Sequence, residues 1–150
     1  MAVGPAGCRP LTPREAVELA LSRGGPRLAS SLSRLLRLLS AVAGELGVEE
    51  VIIYGSLADP GRPLRVDSDV DVLVVARRGD AHGALAKLVP EVVRLKRLPG
   101  GGVDAHTQLI DYPNAVLWHV VTARPGRLGE KLPGGPCLSV SLVETGSLSH

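Results

Sequence analysis

The sequence predicts an α/β (α+β) domain in which a small mixed β-sheet of three or more strands packs against helices. Three observations predict it. Residues 27 to 46 carry Leu28, Leu32, Leu35, Leu36, Leu39, Val42, Ala43 and Leu46 at three- and four-residue spacing, the stripe of a long amphipathic helix with Arg34 and Arg37 off it. Two β-branched runs follow, "EEVIIYGS" and "SDVDVLVVA", and the later half of the second is apolar at every position, as in a central strand covered on both faces. In "VDAHTQLI", Val103, Ala105, Thr107 and Leu109 alternate with Asp104, His106 and Gln108, which predicts a strand with one polar face.

In chain order, residues 1 to 11, "MAVGPAGCRPL", are rich in Gly and Pro and read as a loose opening segment. Thr12 then offers a helix N-cap, Pro13 the first helical position and Glu15 the acidic partner of a capping box. That first helix should stop near Arg23, where "GGP" follows, and the long helix should end near Gly47. After the strand that halts at Gly55, "LADPGRPLRVD" is a loop that can open with one helical turn. Residues 80 to 98 hold Leu85, Leu88, Val89, Val92, Val93, Leu95 and Leu98 in a helical pattern, kinked or broken at Pro90. "PGGG" forces a turn before the polar-faced strand. "NAVLWHVV" fits a helix or a strand and places Trp118 in the core; "CLSVSLV" alternates weakly as a last strand, an exposed edge through which two chains could pair.

Length and composition narrow the function classes. The 150 residues fit one domain, 1–150, with 45% hydrophobic and 21% charged residues, a composition that folds. The net charge is only +2 and the basic residues are dispersed, so charge indicates no nucleic-acid partner. There is no Phe, one Trp and two Tyr, which leaves an aliphatic core and no stacking platform for single strands. No apolar run is long enough for a membrane span and the N-terminus lacks the pattern of a signal peptide, so a cytoplasmic protein is expected. Cys8 and Cys137 are too few for a metal framework; unpaired thiols are expected, a bridge only where intracellular disulfides are favoured.

The chemistry concentrates in "GSLADPGRPLRVDSDVD", residues 55 to 71. Residues two apart on a strand point the same way, so Asp69 and Asp71 project from one face and Val70 and Val72 from the other. Two like charges about 7 Å apart are unfavourable without a cation between them. Mg²⁺ suits them, because it takes carboxylate oxygens and completes its octahedron with water and substrate phosphate. Gly55 and Ser56, where a strand ends, present backbone N–H groups and a hydroxyl to an anion. Asp104 shares the polar parity of its strand, and three carboxylates converge if that strand neighbours the one carrying Asp69 and Asp71.

Gly-Ser, a spacer from Leu57 to Ser68, Asp-Val-Asp-Val on a strand and a third Asp on a later strand resemble the DNA polymerase beta-like nucleotidyltransferase superfamily, in its minimal branch. The resemblance covers residues about 30 to 110. It implies that Asp69, Asp71 and Asp104 hold two Mg²⁺ ions and that Gly55 and Ser56 grip the outer phosphates of a nucleoside triphosphate, most simply ATP. The implied reaction transfers a nucleoside monophosphate to a hydroxyl and releases pyrophosphate. Minimal members often continue Gly-Ser with Ala-Arg-Gly, whereas this chain has Leu57-Ala58-Asp59-Pro60-Gly61; Arg62, Arg65 and Ser68 are then the candidates for the remaining nucleotide contacts.

Such proteins are commonly paired with a helical HEPN-type partner in toxin–antitoxin systems, so two functions are expected: an AMP-transferring enzyme, or a non-catalytic antitoxin or scaffold that covers its partner. A second copy of the chain is a further candidate partner. Asp111, beside Tyr112-Pro113, reads as a turn or helix cap, and Asp67 as a loop residue. His106 and His119 have no partner at metal-ligand spacing and read as surface or satisfied histidines.

Overall fold

The computed structural model describes residues 7–64, 69–87, 94–98, 106–127 and 135–142. In chain order these form β1 (Arg9–Leu11), α1 (Pro13–Leu46), β2 (Val48–Tyr54), β3 (Val70–Ala76), α2 (Ala81–Leu85), β4 (Arg94–Leu98), β5 (His106–Asp111), β6 (Val116–Ala123) and β7 (Cys137–Ser141). Short 3₁₀ turns follow β2 at Gly55–Leu57, β5 at Tyr112–Asn114 and β6 at Pro125–Arg127. Among the described residues the strands make one mixed sheet in the order β1-β7-β2-β3-β6-β5-β4. The pairs β1/β7 and β3/β6 are parallel and the others antiparallel. The mixed α and β architecture follows the expected class.

α1 starts as its sequence dictates. Thr12 Oγ1 accepts from the Glu15 N–H at 3.1 Å, and the Glu15 carboxylate accepts from the Thr12 N–H at 2.9 Å. The helix is interrupted at Gly25, whose φ of 84° and ψ of −176° leave helical geometry just before Pro26. Glycine is the residue that takes this backbone without a Cβ penalty, and Pro26 restarts the helix because its missing N–H has no partner to lose there. The "GGP" stop and the stripe from Leu28 therefore describe two segments of one broken helix. It ends at Gly47, whose N–H donates to the Ala43 carbonyl.

The stripe Leu28, Leu32, Leu35, Leu36, Leu39, Val42 and Leu46 is buried against the sheet. Below it lie Val51 and Ile53 of β2, Val72 and Val74 of β3, and Trp118 and Val120 of β6. Each fully buried aliphatic of this kind contributes about 1.5–3 kcal/mol. Trp118 is wholly buried, and its indole Nε1–H donates to Ser31 Oγ at 2.7 Å, so the one polar atom carried in is paired. β3 occupies the middle of the sheet, and Val72 through Ala76 are all buried at 1% exposure or less, which explains their unbroken apolar run.

Four expectations need correction. Residues 80 to 98 are not one helical segment: only Ala81–Leu85 is helical, and Arg94–Leu98 is a strand paired antiparallel with β5 from Arg94↔Ile110 to Leu98↔His106. A helix through Pro90 would lose an internal hydrogen bond, whereas pairing satisfies the backbone of 94–98. Residues 9–11 of the opening segment form a strand beside β7, so "CLSVSLV" lies inside the sheet between β1 and β2 instead of at an open edge. Cys8 and Cys137 are joined in a disulfide across 129 residues of sequence. Finally, β6 stands between β5 and β3, so the strand after the "PGGG" turn does not neighbour the one that bears Asp71.

Candidate functional site

The candidate site gathers where β2 ends and β3 begins, on the face of the sheet turned away from α1. β2 stops because Gly55 takes φ +76°, a left-handed conformation that leads into the Gly55–Leu57 turn. A Cβ on Gly55 would stand 2.8 Å from Asp71 Oδ2, so glycine is required here both by the backbone and by the approach of the carboxylate. The Gly55 carbonyl accepts from the N–H groups of Ala58 and Asp59, each at 3.1 Å. The loop then folds back through Asp59, whose Oδ1 accepts from the Gly61 N–H at 2.9 Å and whose carbonyl accepts from the Arg62 N–H at 3.1 Å.

Strand pairing brings titratable groups into one row. Tyr54 of β2 is opposite Asp71 of β3, which is opposite His119 of β6, which is opposite Gln108 of β5. Asp69 precedes Asp71 by two residues, and its Oδ2 lies 3.0 Å from His119 Nε2. His119 Nδ1 is 3.2 Å from His106 Nε2. The tautomer that pairs both contacts has the His119 Nε2–H donating to the Asp69 carboxylate and Nδ1 accepting from the His106 Nε2–H. The two histidines are therefore partnered with each other and with Asp69, through pairings their spacing in sequence does not reveal. The signal in the sequence is the parity of His106, which lies on the polar side of an alternating strand, whereas the segment around His119 fits a helix or a strand by pattern alone.

Electrostatics mark the same row. Burial raises the Asp71 carboxyl above its ordinary value; Asp69 pushes the same way, and His119, His106 and Arg62 oppose it. Burial, reinforced by Asp71, pushes the Tyr54 hydroxyl up to about 12. Burial also lowers His106, with His119 adding to the effect and Asp71 opposing it. A pocket of about 300 Å³ opens beside the row, lined by Tyr54, Gly55, Asp59, Arg62, Asp71 and Pro136. Its size is at the lower end for small-molecule sites, and its polar groups converge from the loop and from β3.

The donor set decides which cation fits. Among the described residues there is no group of three or more His, Cys, Asp or Glu arranged to hold a metal by itself. Asp69 and Asp71 fit an ion that needs one or two carboxylates and takes its other ligands from water and phosphate, as Mg²⁺ does. A cation between them would also reverse the cost of ionising Asp71.

The structure thus brings together Gly55, Arg62, Asp69 and Asp71, with Ser56 in the turn. Arg65, Ser68, Asp67 and Asp104 lie outside the described residues. The side chain that stands in register with Asp71 on the neighbouring strand is His119. Asp111 belongs to neither row nor pocket: its carboxylate accepts from the Asn114 N–H and side-chain amide, capping the Tyr112–Asn114 turn as its sequence suggested. No helix among the described residues is long and apolar enough to cross a membrane. Comparison of the chain with protein-family models and with curated proteins finds no match.

Proposed function

We propose that the protein is a Mg²⁺-dependent nucleotidyltransferase that moves a nucleoside monophosphate, most simply AMP from ATP, onto a hydroxyl of an acceptor. The observation that carries this reading is the Asp71 carboxylate, whose Oδ2 stands 2.8 Å from where a Cβ on Gly55 would be, at the wall of the pocket shared with Arg62. A backbone open to close approach, the Arg62 cation and the Asp71 carboxylate around one cavity, with Asp69 two residues before Asp71, support a site for a polyphosphate–metal complex.

Asp69 and Asp71 are the residues to hold the metal. An Mg²⁺ ion held there would supply positive charge against the charge that gathers on the attacking and leaving oxygens. Gly55 and Ser56 receive the outer phosphates, and Arg62 adds a cation from the pocket wall. The acceptor oxygen bonds to the α-phosphorus as its hydroxyl proton passes to solvent water, the bond to the β-phosphate oxygen breaks, and pyrophosphate leaves with that electron pair. His119 holds Asp69 in orientation through the 3.0 Å hydrogen bond and is itself held by His106.

A second reading has its own observation. His119, where a third carboxylate would complete the set, favours a module that keeps the fold without the nucleotide chemistry and serves as an antitoxin or scaffold for a helical partner. Calorimetric titration of ATP with Mg²⁺ and with a chelator, into wild type and the D69N/D71N double variant, separates the readings. Metal-dependent binding lost in the variant supports nucleotide chemistry at this row; no binding by folded wild type removes the enzyme reading and leaves the scaffold.

A further inference from the structure

The break in α1 and the loop after β2 meet, and one side chain joins them. Arg23 sits on the last turn before Gly25, half-buried, and its guanidinium reaches the loop's backbone. Nη1 donates to the carbonyls of Ser56 at 2.5 Å and Leu57 at 2.7 Å, and Nη2 donates to the carbonyl of Arg62 at 2.5 Å. Beside it, a Cβ on Gly24 would stand 3.0 Å from Leu64 Cδ2, so the far end of the loop seats against the same break.

These contacts matter because the loop's other hydrogen bonds are local. Among the described residues, the ties within 55–62 run from Ala58 and Asp59 to Gly55 and from Gly61 and Arg62 to Asp59. They shape the loop but do not fix it to the body of the protein. Among the described residues Arg23 supplies the loop's long-range hydrogen bonds, beside the burial of Leu57 and Ala58 in the core, and it grips both the turn that follows Gly55 and the residue that brings the cationic side chain to the pocket. All its hydrogen bonds among the described residues go to carbonyls. A guanidinium is suited to this, since its planar fork meets several carbonyls at once where an ammonium meets fewer.

We propose that Arg23 is a positioning residue for phosphate recognition: by clamping the Gly55–Arg62 loop onto the break in α1, it holds Gly55 and Arg62 against the pocket that Asp71 completes. The inference rests on the nucleotidyltransferase reading for its ligand, and on the hydrogen bonds alone for the clamp.

The test uses the full chain as wild type, R23K and R23Q, with ATP·Mg²⁺ titrated by calorimetry and amide exchange followed peptide by peptide. R23Q is expected to weaken ATP binding tenfold or more and to speed exchange of the 55–62 amides, with exchange in β2 and β3 unchanged. R23K, which keeps the charge but loses the fork, is expected to fall between, and it carries the test if R23Q does not fold. A 55–62 segment that exchanges at the wild-type rate in the variants overturns the clamp, and wild-type affinity with a loosened loop overturns its role in recognition. If wild type binds no ATP, the nucleotidyltransferase reading falls and the phosphate role with it, while the exchange data still decide the clamp.

Discussion

The two faces of the central sheet are built from the same strands and do opposite work. Toward α1, β3 presents Val70, Val72 and Val74 to a layer of leucines, and the buried Trp118 meets Ser31 so that its indole is satisfied. On the other face the same strand presents Asp71, then Leu73 and Val75, which join Ile52, Ala123 and the Cys8–Cys137 bridge in a smaller apolar cluster. That second face turns polar at one end, where Tyr54, Asp71, His119 and Asp69 stand in a row. The inner face buries a nearly continuous aliphatic layer, whereas the outer face keeps a half-buried carboxylate whose ionisation is disfavoured. Tolerance of such a group is expected where a site serves binding at some cost to stability.

Perturbing one face at a time should separate stability from binding. The largest effect is expected from Trp118→Ala, which opens a cavity and strands Ser31; denaturant unfolding should show a loss of about 3–5 kcal/mol. Breaking the Cys8–Cys137 bridge in the outer cluster by Cys8→Ser and Cys137→Ser should cost about 2–5 kcal/mol, because it frees a long stretch of the unfolded chain. The melting temperature of the variant should match that of reduced wild type; equality with oxidised wild type would mean the bridge adds nothing. Gly55→Ala forces a side chain into a left-handed backbone and against Asp71 Oδ2, so a smaller loss of about 1–3 kcal/mol is expected, together with weakened ATP binding.

The smallest expected effect has the opposite sign. The Asp71 carboxyl is raised above its unfolded value of 3.8 by burial, so the folded protein binds its proton more tightly than the unfolded chain does. Its contribution to stability is therefore fully present below pH 3.8 and is lost as pH rises through the folded value. Asp71→Asn removes that loss, so the metal-free variant should melt slightly above wild type at pH 7, and the gap should close as the pH is taken below 4. Mg²⁺ with ATP should reverse the order by stabilising wild type alone. A variant less stable than wild type at pH 7 without metal would contradict the contrast between the faces.

Much of the architecture was legible because it is written in short-range pattern. The capping box at Thr12 and Glu15, the interruption at "GGP", the leucine stripe, the halt of β2 at Gly55 and the central position of β3 all follow from spacing within one turn or one strand. The strand at 94–98 was hidden because Leu95 and Leu98 also fit a helical period, and only its pairing with β5 distinguishes the two. The carboxylate pair and its glycine were visible for the same reason as the strands, since Asp69 and Asp71 share a side by local alternation.

What remained hidden depends on which strands become neighbours. His119 meets Asp69 across 50 residues because β3 and β6 pair in parallel, and His106 reaches His119 because β5 flanks β6 on its other edge. Cys8 finds Cys137 because β1 closes the sheet beside β7. Arg23 finds Ser56 and Arg62 because the broken helix lies over the end of β2. The sequence by itself determined the two segments of α1, strands β2 and β3, the shared side of Asp69 and Asp71 and the glycine that admits Asp71. Strand order, the histidine row, the disulfide and the arginine clamp were decided by tertiary structure. The physical reason is that periodicity constrains a segment against its own backbone, whereas pairing depends on how every segment together buries its apolar face.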